Sequence, residues 1–137
     1  MADWNQSIID EFRANEGTVQ TMGFGRGLVL LHHLGAKSAT KRVSPLAAMR
    51  PEKGVWLIAA SKGGAPEHPA WFHNLIAHPE VEIEDPDEGT VRVTAEVLTG
   101  EERDSAWRRF EAFSDGFAAY QRKTSRVIPV VALRRAS

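Results

Sequence analysis

Residues 81–97 alternate between apolar and polar side chains on both sides of a turn. Val81 and Ile83 precede Asp85-Pro86-Asp87-Glu88-Gly89, and Val91, Val93, Ala95 and Val97 follow it. Period-two alternation marks a strand with one dry and one wet face. Two such runs joined by turn residues predict an antiparallel hairpin. A chain built on hairpins departs from strict βαβ alternation, so the expected class is α+β with a mostly antiparallel sheet or barrel.

The remaining segments fit around that hairpin. Residues 27–34 read as a buried strand bounded by glycines, and residues 42–49 as a strand whose ladder is limited by Pro45. Pro51-Glu52-Lys53-Gly54 is a turn signal, residues 55–60 are a compact apolar strand, and residues 128–133 close the set behind Pro129. Three or four helices are expected. The first covers 4–14, is capped by Asp3, and carries Trp4, Ile8, Ile9 and Phe12 as one apolar stripe. The second covers 69–78 and carries Trp71, Phe72, Leu75 and Ile76. A third opens at Thr99 with Glu102 completing a capping box and runs to about Phe113. Residues 116–124 predict a short fourth. The total is about six strands with three or four peripheral helices. At 137 residues this predicts one domain over 1–137, with an N-terminal helical arm over 1–20. The stripe of the arm suits docking on the core; it suits a membrane surface less well, because it is short and flanked by acids.

The chain has no cysteine, which excludes disulfides, thiolate zinc sites, iron–sulfur clusters and cysteine nucleophiles. No apolar run reaches the ~20 residues of a membrane span, and the start lacks the basic-then-apolar order of a secretion signal. A cytoplasmic protein is expected. The net charge is −1, but it is unevenly spread: between residues 32 and 62 six cations (Lys37, Lys41, Arg42, Arg50, Lys53 and Lys62) face the single acid Glu52. Such a window suits an anionic ligand or is simply an uneven surface. It lacks interleaved aromatics, so nucleic acid is not the expected partner.

Two loops could carry chemistry. Residues 35–42 (Gly35-Ala36-Lys37-Ser38-Ala39-Thr40-Lys41-Arg42) mix cations, hydroxyls and backbone donors, as phosphate and carboxylate recognition requires, without P-loop order. Ala59-Ala60-Ser61-Lys62-Gly63-Gly64 ends a strand in small residues that let a flat ligand approach the backbone. No nucleophile elbow surrounds Ser61. The five histidines, His32, His33, His68, His73 and His78, lack metal-ligand spacing, so no metal is expected. Phe113, Phe117 and Tyr120 form an aromatic group that suits core or the wall of a substrate pocket.

Read together, the segments 35–46, 59–79 and 120–131, with Thr99-Gly100-Glu101-Glu102-Arg103, resemble the deazaflavin (F420)-dependent nitroreductase family of actinobacteria. The resemblance implies a split β-barrel related to flavin reductases, with reduced coenzyme F420 as hydride donor. It implies that Lys37, Ser38 and Arg42 hold the anionic part of F420 and that Val43 and Pro45 lie along it. Ala59, Ala60, Ser61 and Lys62 would meet the deazaflavin ring, mostly through the backbone, with Trp71 and Asn74 supporting that wall. Phe113, Phe117 and Tyr120 would line the substrate pocket, and Ser61 and Tyr120 would be the catalytic groups. The expected substrates are electron-poor small molecules: α,β-unsaturated carbonyls, quinones and, less favoured, nitro compounds. Two departures stand out. Ala39 replaces a usual glycine, and Phe113 and Phe117 stand where tyrosines are common. A non-catalytic F420 carrier and an FMN enzyme of the same fold are the alternatives. A monomer or small homo-oligomer is expected.

Overall fold

Alternation along the strands decides which element covers which face of the sheet. The computed structural model describes residues 4–136, apart from the side chains at positions 4 and 22. The Asp3 cap and the Trp4 side chain therefore lie outside the described residues. Seven strands are present: β1 (Leu28–Leu34), β2 (Lys41–Ala47), β3 (Met49–Glu52), β4 (Val55–Ala59), β5 (Glu80–Asp85), β6 (Gly89–Val97) and β7 (Val130–Arg135). They form one antiparallel sheet in the order β2-β1-β5-β6-β7-β4-β3. The four helices are α1 (Trp4–Ala14), α2 (Ala70–Ala77), α3 (Gly100–Phe113) and α4 (Asp115–Lys123).

The β5–β6 hairpin has the expected register. Val81 pairs with Val93 and Ile83 with Val91 on the dry face, and Glu82 pairs with Arg92 on the wet one. The strands with continuous apolar runs are buried on both faces. In β1, Val29 and Leu31 point into the barrel interior, whereas Leu28 and Leu30 meet Ile8, Ile9 and Phe12 of α1. In β4 and β7, Trp56, Ile58, Val131 and Leu133 face inward. Leu57, Val130 and Ala132 face Trp107 and Phe110 of α3. Trp71, Phe72 and Leu75 of α2 pack on the interior cluster.

Ile8, Ile9 and Phe12 of the α1 stripe are thus spent on the sheet, and Arg13 at the helix end pairs with Glu84 of β5 at 2.6 Å. Among the described residues no helix is long and apolar enough to cross a membrane.

Four local readings need correction. Residues 42–49 are not one strand: the chain turns a corner at Ala48, whose N–H bonds the Gly27 carbonyl, and β3 begins after it. That corner makes seven strands of about six. The turn after β3 is shorter than expected. Pro51 lies within β3, which ends the sheet and so tolerates a missing donor, and Gly54 turns at φ +81°. Thr99 precedes α3 but its side chain makes no capping bond; Ser114 instead caps α4, its Oγ accepting from Gly116 N–H at 3.2 Å. The last strand starts at Val130 rather than 128, because Pro129 has no N–H and only its carbonyl is used, by Ala60.

Candidate cofactor and substrate site

The β1–β2 loop is closed from within. Gly35 N–H bonds the Thr40 carbonyl at 2.9 Å, Ala39 N–H bonds the Gly35 carbonyl at 2.8 Å, and Thr40 N–H bonds Ser38 Oγ at 3.2 Å. Ala39 sits at φ +56°, the left-handed region that glycine enters freely. Alanine thus keeps the backbone shape that glycine would give, at a cost in strain. Ala39→Gly is expected to stabilise the protein by about 0.5–1 kcal/mol, the relief of strain minus glycine's extra chain entropy. Chemical denaturation of both proteins measures it.

A buried relay fastens this loop to the barrel. Ala36 N–H donates to Asn74 Oδ1 at 2.9 Å, so Asn74 Nδ2 is left to donate to His33 Nδ1, also at 2.9 Å. With Nδ1 accepting, neutral His33 carries its hydrogen on Nε2 and donates to Ser44 Oγ at 2.9 Å. Burial, the nearby Arg42 cation and His32 push the His33 pKa down to about 4, which keeps the ring neutral.

The six cations of the window divide by partner. Arg50 is bound to Asp85 and Lys62 to Glu67, at 2.7 and 2.9 Å. Lys37, Lys41, Arg42 and Lys53 carry no ion pair among the described residues, and Lys53 stands apart from the other three, in the turn between β3 and β4. The charge available to a ligand is therefore concentrated on the β1–β2 loop and the start of β2. Beside it lies a cleft of about 320 Å³ lined by Arg42, Val43, Ser44, Trp71 and residues of α1.

The glycine-rich loop after β4 is organised differently. The Ala60 methyl is fully buried, its N–H donates to the Pro129 carbonyl and its carbonyl accepts from Arg126, so neither its side chain nor its backbone is free for a ligand. The N–H groups of Ser61 and Lys62 donate to no partner among the described residues. Lys62 stands at φ +44°. Arg126 spans the loop: Nη1 reaches the Ala60 carbonyl at 3.1 Å, Nη2 the Ser61 carbonyl at 2.9 Å, Nε the Ala65 carbonyl at 2.9 Å. Gly64 packs against α4, where a Cβ would lie 2.7 Å from the Tyr120 carbonyl.

Phe113, Phe117 and Tyr120 share one cleft of about 390 Å³, with Phe24, Gly27 and Ala47 on its other sides. Phe117 meets Tyr120 edge-on at 5.8 Å. The Tyr120 hydroxyl has no hydrogen-bond partner among the described residues, which leaves a donor on an aromatic wall.

Strand β2 connects the two clefts. Arg42, Val43 and Ser44 line the first, Ala47 lines the second, and Pro45 lies between. Two groups escaped the sequence reading. Arg126 looks like any loop arginine, and Phe24 lies in a stretch without periodicity, flagged only by the glycines on either side of it.

A family model described as F420H(2)-dependent quinone reductase matches residues 4–135. The chain belongs to that family. It is an F420-dependent oxidoreductase, and its cofactor is coenzyme F420. An F420H(2)-dependent quinone reductase of Mycobacterium tuberculosis is 42% identical over 112 residues, covering 78% of this chain and 72% of the relative. The solved F420-H2 dependent reductase FDR-A superposes with TM-score 0.72 at 41% identity, covering 80% of this chain and 95% of that one. A structure described as a domain-swapped dimer superposes with TM-score 0.73 at 37% identity, over 92% of this chain and 95% of the other. The split-barrel fold expected from the resemblance is the fold observed.

Proposed function

We propose that the enzyme binds F420 along β2 and reduces quinones and related electron-poor carbonyl compounds in the aromatic cleft. The observation that carries this reading is the group of three cations, Lys37, Lys41 and Arg42, without an ion pair among the described residues, on a loop held by Asn74 and His33. F420 joins a flat deazaflavin to a phosphodiester and an oligoglutamate tail, so it needs cations at one end and close backbone at the other. Lys37, Arg42 and the Ser38 hydroxyl meet the anionic part, Val43 and Pro45 flank the middle, and Ala59, Ser61 and Lys62 meet the ring. Trp71 and Asn74 act as supports, Asn74 through Ala36. Lys62 contributes its backbone rather than its ammonium, which is given to Glu67.

Bound F420H2 supplies a hydride. The residues of the chain orient the acceptor and handle charge and proton. Hydride arrival at a quinone builds negative charge on oxygen, which the Ser61 hydroxyl and the loop N–H groups can stabilise. The Tyr120 hydroxyl can deliver the proton that completes the hydroquinone. Phe113 and Phe117 bring no donors, so the reading places nitro compounds, whose reduction consumes more protons, behind quinones.

The test is a fluorescence titration of the protein with F420 and, separately, with FMN. Lys37→Ala and Arg42→Ala are each expected to weaken F420 binding about tenfold or more, the effect of one charge-assisted contact of ~1.5–3 kcal/mol. Unchanged affinity in both variants removes the anion-site assignment. Preference for FMN favours the flavin alternative, and tight F420 binding without oxidation of F420H2 by any quinone favours the carrier.

A further inference from the structure

We propose that Arg126 is a positioning residue for the reaction: by holding the carbonyls of Ala60 and Ser61, it turns the N–H groups of Ser61 and Lys62 outward to meet negative charge. This rests on the reading that the loop faces the ring and the reacting oxygen. In a trans peptide the carbonyl and the following N–H point in opposite directions. The Ala60 carbonyl shares its peptide with Ser61 N–H, and the Ser61 carbonyl shares its peptide with Lys62 N–H. Arg126 Nη1 fixes the first at 3.1 Å and Nη2 fixes the second at 2.9 Å. Both N–H groups are thereby aimed away from the guanidinium, and neither has a partner among the described residues.

The backbone between them supports the same outcome. Ser61 is right-handed helical at φ −79°, ψ −37°, and Lys62 is left-handed at φ +44°. That succession curves consecutive N–H groups toward a common point, the concavity in which backbone holds anions. A lysine disfavours φ +44° on its own, so something must hold it there. The clamp continues through Arg126 Nε to the Ala65 carbonyl and through Nη1 to His68 Nδ1, both at 2.9 Å. A guanidinium has donors only, and a planar fork is what lets one side chain meet carbonyls from three residues. The clamp is itself anchored: Gln121 Nε2 of α4 donates to the Arg126 carbonyl at 2.7 Å. Lysine at this position would keep the charge but lose the fork.

The experiment has two arms. In the first, the 15N-labelled wild-type protein is titrated with oxidised F420, and the Ser61 and Lys62 amide resonances are followed. They are expected to shift downfield and to rank among the largest changes. F420 binding that leaves both amides unmoved overturns this proposal and leaves the cofactor reading standing. Absence of F420 binding overturns the cofactor reading and, with it, this proposal. In the second arm, Arg126→Gln and Arg126→Lys are compared in single-turnover oxidation of bound F420H2 by a quinone such as menadione, with F420 affinity and melting temperature measured in parallel. Loss of preorganised donors is expected to slow Arg126→Gln by at least tenfold while quinone KM changes little, with Arg126→Lys in between. Equal rates in all three proteins overturn the proposal. So does a uniform fall in rate, affinity and melting temperature that is the same for both variants, because that is the signature of a merely structural arginine.

Discussion

Replacing Asp85 by asparagine is expected to lower the melting temperature by roughly 10 °C, the equivalent of about 3 kcal/mol for a domain of this size. Asp85 is buried at the end of β5. One of its oxygens accepts from Arg50 Nε and Nη2 at 3.0 and 2.7 Å and from Trp56 Nε1 at 2.9 Å. The other accepts from the turn amides of Asp87 and Glu88 at 3.0 and 3.1 Å. Asparagine has one acceptor oxygen, so it must abandon one set and turn a donor toward it. Either the indole N–H of Trp56, which is 1% exposed, loses its partner, or the turn does. Burial acts to raise the Asp85 pKa, but Arg50, Trp56 and the turn amides outweigh it and hold the carboxyl below its usual range. Its contribution is therefore present above the ordinary carboxylate pKa and lost as pH falls through the lower folded value. A thermal melt monitored by circular dichroism decides the matter; a drop of less than about 2 °C contradicts the account.

The second large effect lies at milder acidity. His33 titrates at about 4 in the folded protein, against an ordinary 6.5 when unfolded. The folded state thus refuses a proton that the unfolded state takes up. The stability tied to neutral His33 is whole above pH 6.5 and drains away as pH falls toward 4. At 1.36 kcal/mol per unit of pKa, the loss is about 3 kcal/mol. Protonation also places a hydrogen on Nδ1, facing Asn74 Nδ2, so the relay that holds Ala36 is broken from its buried end. Urea denaturation at intervals between pH 7 and 4 should show this slope, and His33→Gln should flatten it. An equally steep slope in the variant would remove His33 as its source.

The elements legible in the sequence are those whose pattern is local. The β5–β6 hairpin announces itself because one face is wet. Strands β1, β4 and β7 show as apolar runs because helices cover their outer faces. The corner at Ala48 is invisible, since it depends on a bond to Gly27 formed only when the sheet assembles. The same division runs through the site. Lys37 and Arg42 show as charge without compensation. Lys62 does not show as spent until Glu67 is seen to reach it. Arg126 and Phe24 act on residues far away in the chain, Arg126 on the carbonyl of Ala60 and Phe24 across a cleft from Tyr120. No spacing rule connects such pairs, because the fold alone brings them together.

The place of β7 sets an order of events. It lies between β6 and β4, pairing Val131 with Val97 on one side and Val130 with Ala59 on the other. Arg126, Ile128 and Pro129, which tie down the glycine-rich loop and α3, come immediately before it. A growing chain therefore carries the β1–β2 loop, the glycine-rich loop and the aromatic helices through synthesis without the strand that locks them together. Until residues 130–135 arrive, β4 and β6 each present an unmatched ladder, the kind of surface that captures a neighbouring chain. The strand that fills both ladders is thus also the one whose approach segment shapes the glycine-rich loop.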